Sequence, residues 1–149
     1  MPLNIHLRKN QRIIINGAVI ENVSSQNASL RVMNEASVLR DSDVLKPEDA
    51  VTPASRAYYA LQCLYLFPED WDENYKRFRG FLDAYAQAAP SSLPITDAVV
   101  ALIDDKKIYQ ALKKAQELIG HEHEVFAHVQ ERLGEKLRPA AGSGEPEAG

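Results

Sequence analysis

LRKNQRIIINGAVIENVSSQNASLRVMNEASVLRDSDVL, residues 7–45, is rich in β-branched runs and turn residues where the rest of the chain has helical spacing. Ile13-Ile14-Ile15 is a β-branched run that stops at Asn16-Gly17, and Ala18-Val19-Ile20 follows. Asn-Gly between two apolar runs signals a hairpin, because both turn residues take φ > 0. Beyond the polar loop Ser24–Asn27, Ser29–Met33 and Ser37–Arg40 read as two further strands around a turn at Asn34-Glu35. Upstream, Leu3, Ile5 and Leu7 alternate with Asn4, His6 and Arg8, the period of a half-buried strand. Five short strands with tight turns predict a small antiparallel sheet or barrel over residues 1–45.

After Asp43 the period lengthens. Lys46–Ala50 suggests a short helical turn. Thr52-Pro53 then supplies an N-cap with proline at the first helical position. That helix carries Tyr58, Leu61, Cys63, Leu64 and Tyr65 and ends before Pro68. A second starts near Glu69-Asp70, and Trp71, Tyr75, Phe78, Leu82 and Tyr85 form its apolar stripe. Ala89–Pro94 reads as a linker. A third helix holds Ile95, Val99, Leu102 and Ile103 and breaks at Asp104-Asp105. A fourth runs from about Lys106 and continues past Gly120 through Val125, Val129 and Leu133. The expected architecture is α+β: a β module over 1–45, a helical bundle over 46–138 and a disordered tail over 139–149, which holds only Pro, Gly, Ala, Ser and Glu.

Charge follows the same division. The chain has a net charge of −4, but residues 1–40 carry five basic side chains against two acidic ones and the remainder twelve against nineteen. A weakly basic end on an acidic body hints at an anionic partner. The single cysteine, Cys63, excludes an internal disulfide and suits a reducing compartment. No apolar run approaches the roughly 18 residues of a membrane span, and MPLNIHLRKN lacks the apolar core of a signal peptide. A cytoplasmic protein without membrane partners is expected.

No catalytic pattern emerges. His121 and His123 are two residues apart and so face apart on a helix. Glu124 and His128 share a face without a third ligand, so a solvated helix surface is the expected reading, with no metal or cofactor. Cys63 sits among Leu61, Leu64 and Tyr65 with no nearby histidine, which suits a buried structural thiol. The acidic pairs Glu69-Asp70 and Asp104-Asp105 lie at helix boundaries and suit capping. Aromatics of the first two helices could stack bases, but their spacing assigns most of them to the core; Tyr59 is the one expected off the stripe. Arg8, Lys9 and Arg40 lie at strand ends. They serve either to discourage edge-to-edge aggregation or to bind an anionic partner.

Three blocks then carry a resemblance: PLNIHLRKNQRIIINGAVIEN, NEASVLRDSDVL and TPASRAYYALQCLYL, spread over residues 1 to about 130. In that order they resemble the FlbT family. The resemblance implies a post-transcriptional regulator acting on the leader of flagellin messenger RNA, lowering its stability or translation, in concert with a small partner, FlaF; some members activate instead. The N-terminal stretch is also similar to the translational regulator CsrA, in which a strand ending in basic residues precedes an apolar strand, and the arginine of a V-x-R-E-E segment contacts RNA. Leu7-Arg8-Lys9, Ile13-Ile14-Ile15 and Val38-Leu39-Arg40-Asp41 stand in that order here, with Asn10-Gln11 in place of the family's Gly-Glu turn. What this similarity implies is that Arg8, Lys9 and Arg40 contact RNA. The competing expectation is a protein-interaction module that docks FlaF or flagellin through the helices. A homo-oligomer is a third partner left open.

Overall fold

Alternation places the first strand. The computed structural model describes residues 3–144, with side chains described to residue 136. β1 (Leu3–Leu7) buries Ile5 and Leu7 and exposes Asn4 and His6. It pairs antiparallel with β4 (Ala28–Val32), Ile5 opposite Leu30. β2 (Arg12–Ile15) and β3 (Ala18–Glu21) form the expected hairpin, with Asn16 at φ 51° and Gly17 at φ 84°. Both turn residues are in the left-handed region that such a two-residue turn demands. β5 (Val38–Arg40) pairs with the other edge of β2, Leu39 opposite Ile14.

The strands thus form two sheets, β1-β4 and β3-β2-β5. The turn expected at Asn34-Glu35 does not make a hairpin of β4 and β5, which belong to different sheets. Neither residue takes a positive φ, so the tight reversal of a two-residue turn is not available. Residues 33–37 instead carry the chain from one sheet to the other.

The helices follow the reading closely. α1 (Pro53–Leu66), α2 (Trp71–Ala88), α3 (Leu93–Asp104) and α4 (Ile108–Gly144) are joined by short connections. Pro47–Asp49 is the expected single turn of helix. The stretch expected as a linker is tighter than that: a 3₁₀ turn at Pro90–Ser92 leads straight into α3. α3 ends at Asp104, and Lys106 reverses the chain at φ 62° with its N–H on the Ile103 carbonyl, a left-handed helix stop occupied by a residue other than glycine. α4 continues to Gly144, past the position at which the sequence places the start of a disordered tail; residues 145–149 of that tail lie outside the described residues.

Two cores result. Ile5, Leu7 and Ile13 form a small one inside the β module, with Val38 packed against it. The large one joins all four helices through residues such as Leu61, Phe78, Val99 and Leu112. Leu39 is fully buried in this second core. Successive residues of β5 therefore contribute to different cores, because side chains alternate across a strand. β5 is the joint between module and bundle.

Candidate nucleic-acid interface

Arg8 and Lys9 stand in the turn between β1 and β2, both exposed. The turn is held from beneath. The Arg8 N–H donates to Gln11 Oε1 at 2.8 Å, the Gln11 N–H to the Arg8 carbonyl at 2.9 Å, and the Lys9 N–H to Asn27 Oδ1 at 3.2 Å. Asn10 takes φ 66°, a conformation asparagine tolerates better than most residues. The buried amide of Asn22 is the hub: its Nδ2 donates to the Leu7 and Gln26 carbonyls, both at 2.9 Å, and its Oδ1 accepts from Ser24. The backbone under the two cations is fixed while their side chains remain free to meet a ligand.

Arg40 ends β5. Its Nη1 lies 3.5 Å from the His6 carbonyl, so the guanidinium spans from the three-stranded sheet to β1, two residues from Arg8. The structure thus brings Arg40 to the strand that leads into the Arg8-Lys9 turn. Arg12, by contrast, is paired with Glu21 at 3.2 Å. Arg8, Lys9, Arg31 and Arg40 form no ion pair among the described residues. A carboxylate partner would neutralise them; without one, their charge is available to an anion.

What presents Arg40 is a row of polar side chains on one face of α1. Tyr58, Gln62 and Tyr65 recur at four- and three-residue spacing, which aligns them on a helix. Tyr65 Oη accepts from the Val38 N–H and donates to the Val38 carbonyl, both at 2.9 Å. That single hydroxyl takes the place of a further strand on the open edge of β5. Gln62 pairs with both backbone groups of Leu45, at 2.8 and 3.0 Å. Tyr58 donates to the Asp43 carbonyl, and Lys113 and Gln116 of α4 hold the Asp43 carboxylate at 3.3 and 3.0 Å. On spacing alone Tyr58 and Tyr65 read as part of the core, and Gln62 carries no such signal. An amide within an otherwise apolar stripe, four residues after a tyrosine, is the signal that could have found this row.

Beside Arg40 lies a cavity of about 330 Å³ lined by Leu3, Ile5, Val38, Tyr65 and Tyr109. An open groove of about 600 Å³ shares Tyr65 and Tyr109 with it and extends to Trp71, Lys106 and Lys107. Of the other aromatics, Tyr58, Phe78 and Tyr85 are buried and Tyr59 is half-buried as the spacing suggests, whereas Trp71 and Tyr75, on the apolar stripe by spacing, are only half-buried.

The remaining candidates fall elsewhere. His121 is not a solvated surface residue: its ring bridges Tyr85 Oη at 2.7 Å and Ser91 Oγ at 2.8 Å, pinning α4 to α2 and the following turn. Glu122 accepts from the Ala54 N–H at 3.1 Å and so caps α1 from a distance of 68 residues. His123, Glu124 and His128 are exposed, and no metal-holding group of three His, Cys, Asp or Glu occurs among the described residues. Cys63 is half-buried rather than fully enclosed; burial pushes its thiol up, against the Tyr59 hydrogen bond and the Arg77 charge. A raised thiol is a poor nucleophile. No helix among the described residues is long and apolar enough to cross a membrane.

Comparison with known proteins places this arrangement. The family described as "Flagellar protein FlbT" matches residues 3–126. A relative from Bradyrhizobium diazoefficiens, named probable flagellum biosynthesis repressor protein FlbT 1, is 36% identical over 126 residues, covering 84% of this chain and 85% of its own. One from Rhodopseudomonas palustris, named probable flagellum biosynthesis repressor protein FlbT, is 32% identical over 85% of this chain and 99% of its own. The flagellum biosynthesis repressor protein FlbT of Caulobacter vibrioides is 29% identical over 87% of this chain and 92% of its own. No solved structure matches. The matched segment spans the β module, the row of polar clamps on α1 and the helical core, and on that extent of agreement the chain belongs to the FlbT family.

Proposed function

We propose that this protein regulates flagellin synthesis after transcription, by binding the 5′ leader of flagellin messenger RNA and lowering its translation or stability. Its relatives are named flagellum biosynthesis repressors, which supports the regulatory direction. The observation that carries the RNA reading is the set of cations without carboxylate partners, Arg8, Lys9 and Arg40, gathered around β1 on an otherwise acidic protein. Guanidinium groups take phosphate or a base edge bidentately. Sequence-specific readers of RNA reach bases most easily in single-stranded loops, and a leader offers these.

A titration of the full chain against the flagellin leader, with a scrambled RNA as control, tests this. Specific binding is expected. Log affinity should fall with log salt by about 0.7 per phosphate contact. Arg40→Ala should weaken binding and leave the folded state intact, because the side chain is exposed and makes only a long bond to His6. Equal binding by the variant removes Arg40 from the interface. Failure of the wild type to bind at any salt moves the effect to the bundle as a docking surface for FlaF or flagellin, and the titration with FlaF present then decides.

A further inference from the structure

α4 carries one apolar stripe through two different surroundings. In its first three turns Ala111, Leu112, Ala115 and Leu118 are fully buried against α1 and α3. The same spacing continues through Val125, Phe126, Val129 and Leu133, which are 38–62% exposed. Every residue from His123 to Leu133 is exposed, and of these only His123 and Phe126, which face Thr52-Pro53, share a cleft with another element among the described residues. An isolated helical stretch is marginal in water, and a bare apolar stripe gains from being covered.

Residues 139–149 hold only Pro, Ala, Gly, Ser and Glu, so they offer no large apolar side chain to lay over it. The stripe does fit itself. It is bounded by Glu122 at one end and Lys136 at the other. An antiparallel pairing about a two-fold axis at Val129 sets Glu122 of one copy opposite Lys136 of the second, Val125 against Leu133 and Phe126 against Arg132, a cation over an aromatic ring. A parallel pairing would set Glu122 on Glu122 and Lys136 on Lys136. A cleft of about 430 Å³ between Thr52-Pro53 and the Glu122, His123 and Phe126 side chains opens at the end of the stripe where this pairing would bring Lys136 of the second copy. We propose that this protein forms a two-fold dimer through antiparallel pairing of the exposed half of α4. Four apolar side chains per copy make a small interface, below about 1,200 Å², so the dimer is weak and concentration-dependent.

Sedimentation equilibrium of the full chain across the micromolar range should show a monomer–dimer equilibrium. Val129→Glu places two like charges at the axis and should raise the dimer dissociation constant by about tenfold or more, with helix content by circular dichroism unchanged because the site is exposed. In a Cys63→Ser background, Val125→Cys mixed with Leu133→Cys should form a disulfide dimer, while neither variant alone does. A monomer at every concentration, a dimer indifferent to Val129→Glu, or cross-links between like positions would overturn the proposal.

Discussion

Tyr58 shows how much one hydroxyl does in this fold. It donates to the Asp43 carbonyl and accepts from Gln116 at 3.2 Å, so it ties α1, α4 and the segment after β5 at one point. Burial, with a smaller contribution from the Asp43 charge and against the Gln116 hydrogen bond, pushes its phenol up to about 12. The unfolded value is about 10. A group whose folded pKa is raised contributes stability that is fully present below the unfolded pKa and is lost as pH rises through the folded one. The protein should therefore lose stability between about pH 10 and pH 12. Tyr58→Phe should be less stable at neutral pH, for want of the Asp43 bond, yet lose less over the alkaline interval. Urea midpoints at a series of pH values measure both, and parallel curves for the two proteins would remove Tyr58 from the effect. Tyr85, raised to about 12 by burial and then by the Glu122 charge, leaves a residual slope in the variant.

Among the elements, α1 depends most visibly on its ends. Thr52 Oγ1 accepts from the Ser55 N–H at 3.2 Å and Ser55 Oγ accepts from the Thr52 N–H at 2.9 Å, a reciprocal box that satisfies two of the free donors. Thr52→Ala should cost about 1 kcal/mol, read as a lower urea midpoint at unchanged slope; no loss would mean that the Glu122 carboxylate alone sustains the helix start. Helix starts and stops were legible because caps, prolines and apolar spacing are local. The hairpin at Asn16-Gly17 was legible for the same reason. The pairing of β1 with β4 was not, since it joins residues such as Leu7 and Ala28 that no turn connects. Arg8, Lys9 and Arg40 could be singled out from their places at strand ends, but their closeness in space follows from β5 lying beside β2, which the sequence pattern does not contain. His121 reads as solvated because its partners, Tyr85 and Ser91, are distant along the chain, and the cap that Glu122 places on Ala54 is equally remote in sequence.

The β module and the bundle are joined at β5 by one apolar and one polar connection. Their apolar connection is narrow: Leu39 is fully buried in the helical core, with Ile14, Val44 and Leu45 packed beside it. The polar connection is the row on α1, in which Tyr65 satisfies both backbone groups of Val38 in β5 and Gln62 both of Leu45 in the segment that follows it. Removing either side chain leaves partly buried N–H and C=O groups unpaired, at about 1–3 kcal/mol. That cost falls on the joint, not on the interior of either core. Tyr65→Phe combined with Gln62→Ala should therefore lower the protection of β2 and β5 amides against hydrogen exchange far more than that of α2 and α3. Fluorescence of Trp71, the single tryptophan, reports from α2. It should change at a higher urea concentration than the loss of β-module protection in the double variant, and together with it in the wild type. If protection instead falls uniformly, the module and the bundle unfold as a single unit, and Arg40 is held by Leu39 packing without help from α1. If the two transitions separate, α1 sets the position of β5, and a ligand gripping Arg8 and Arg40 would stabilise the joint as well as the module.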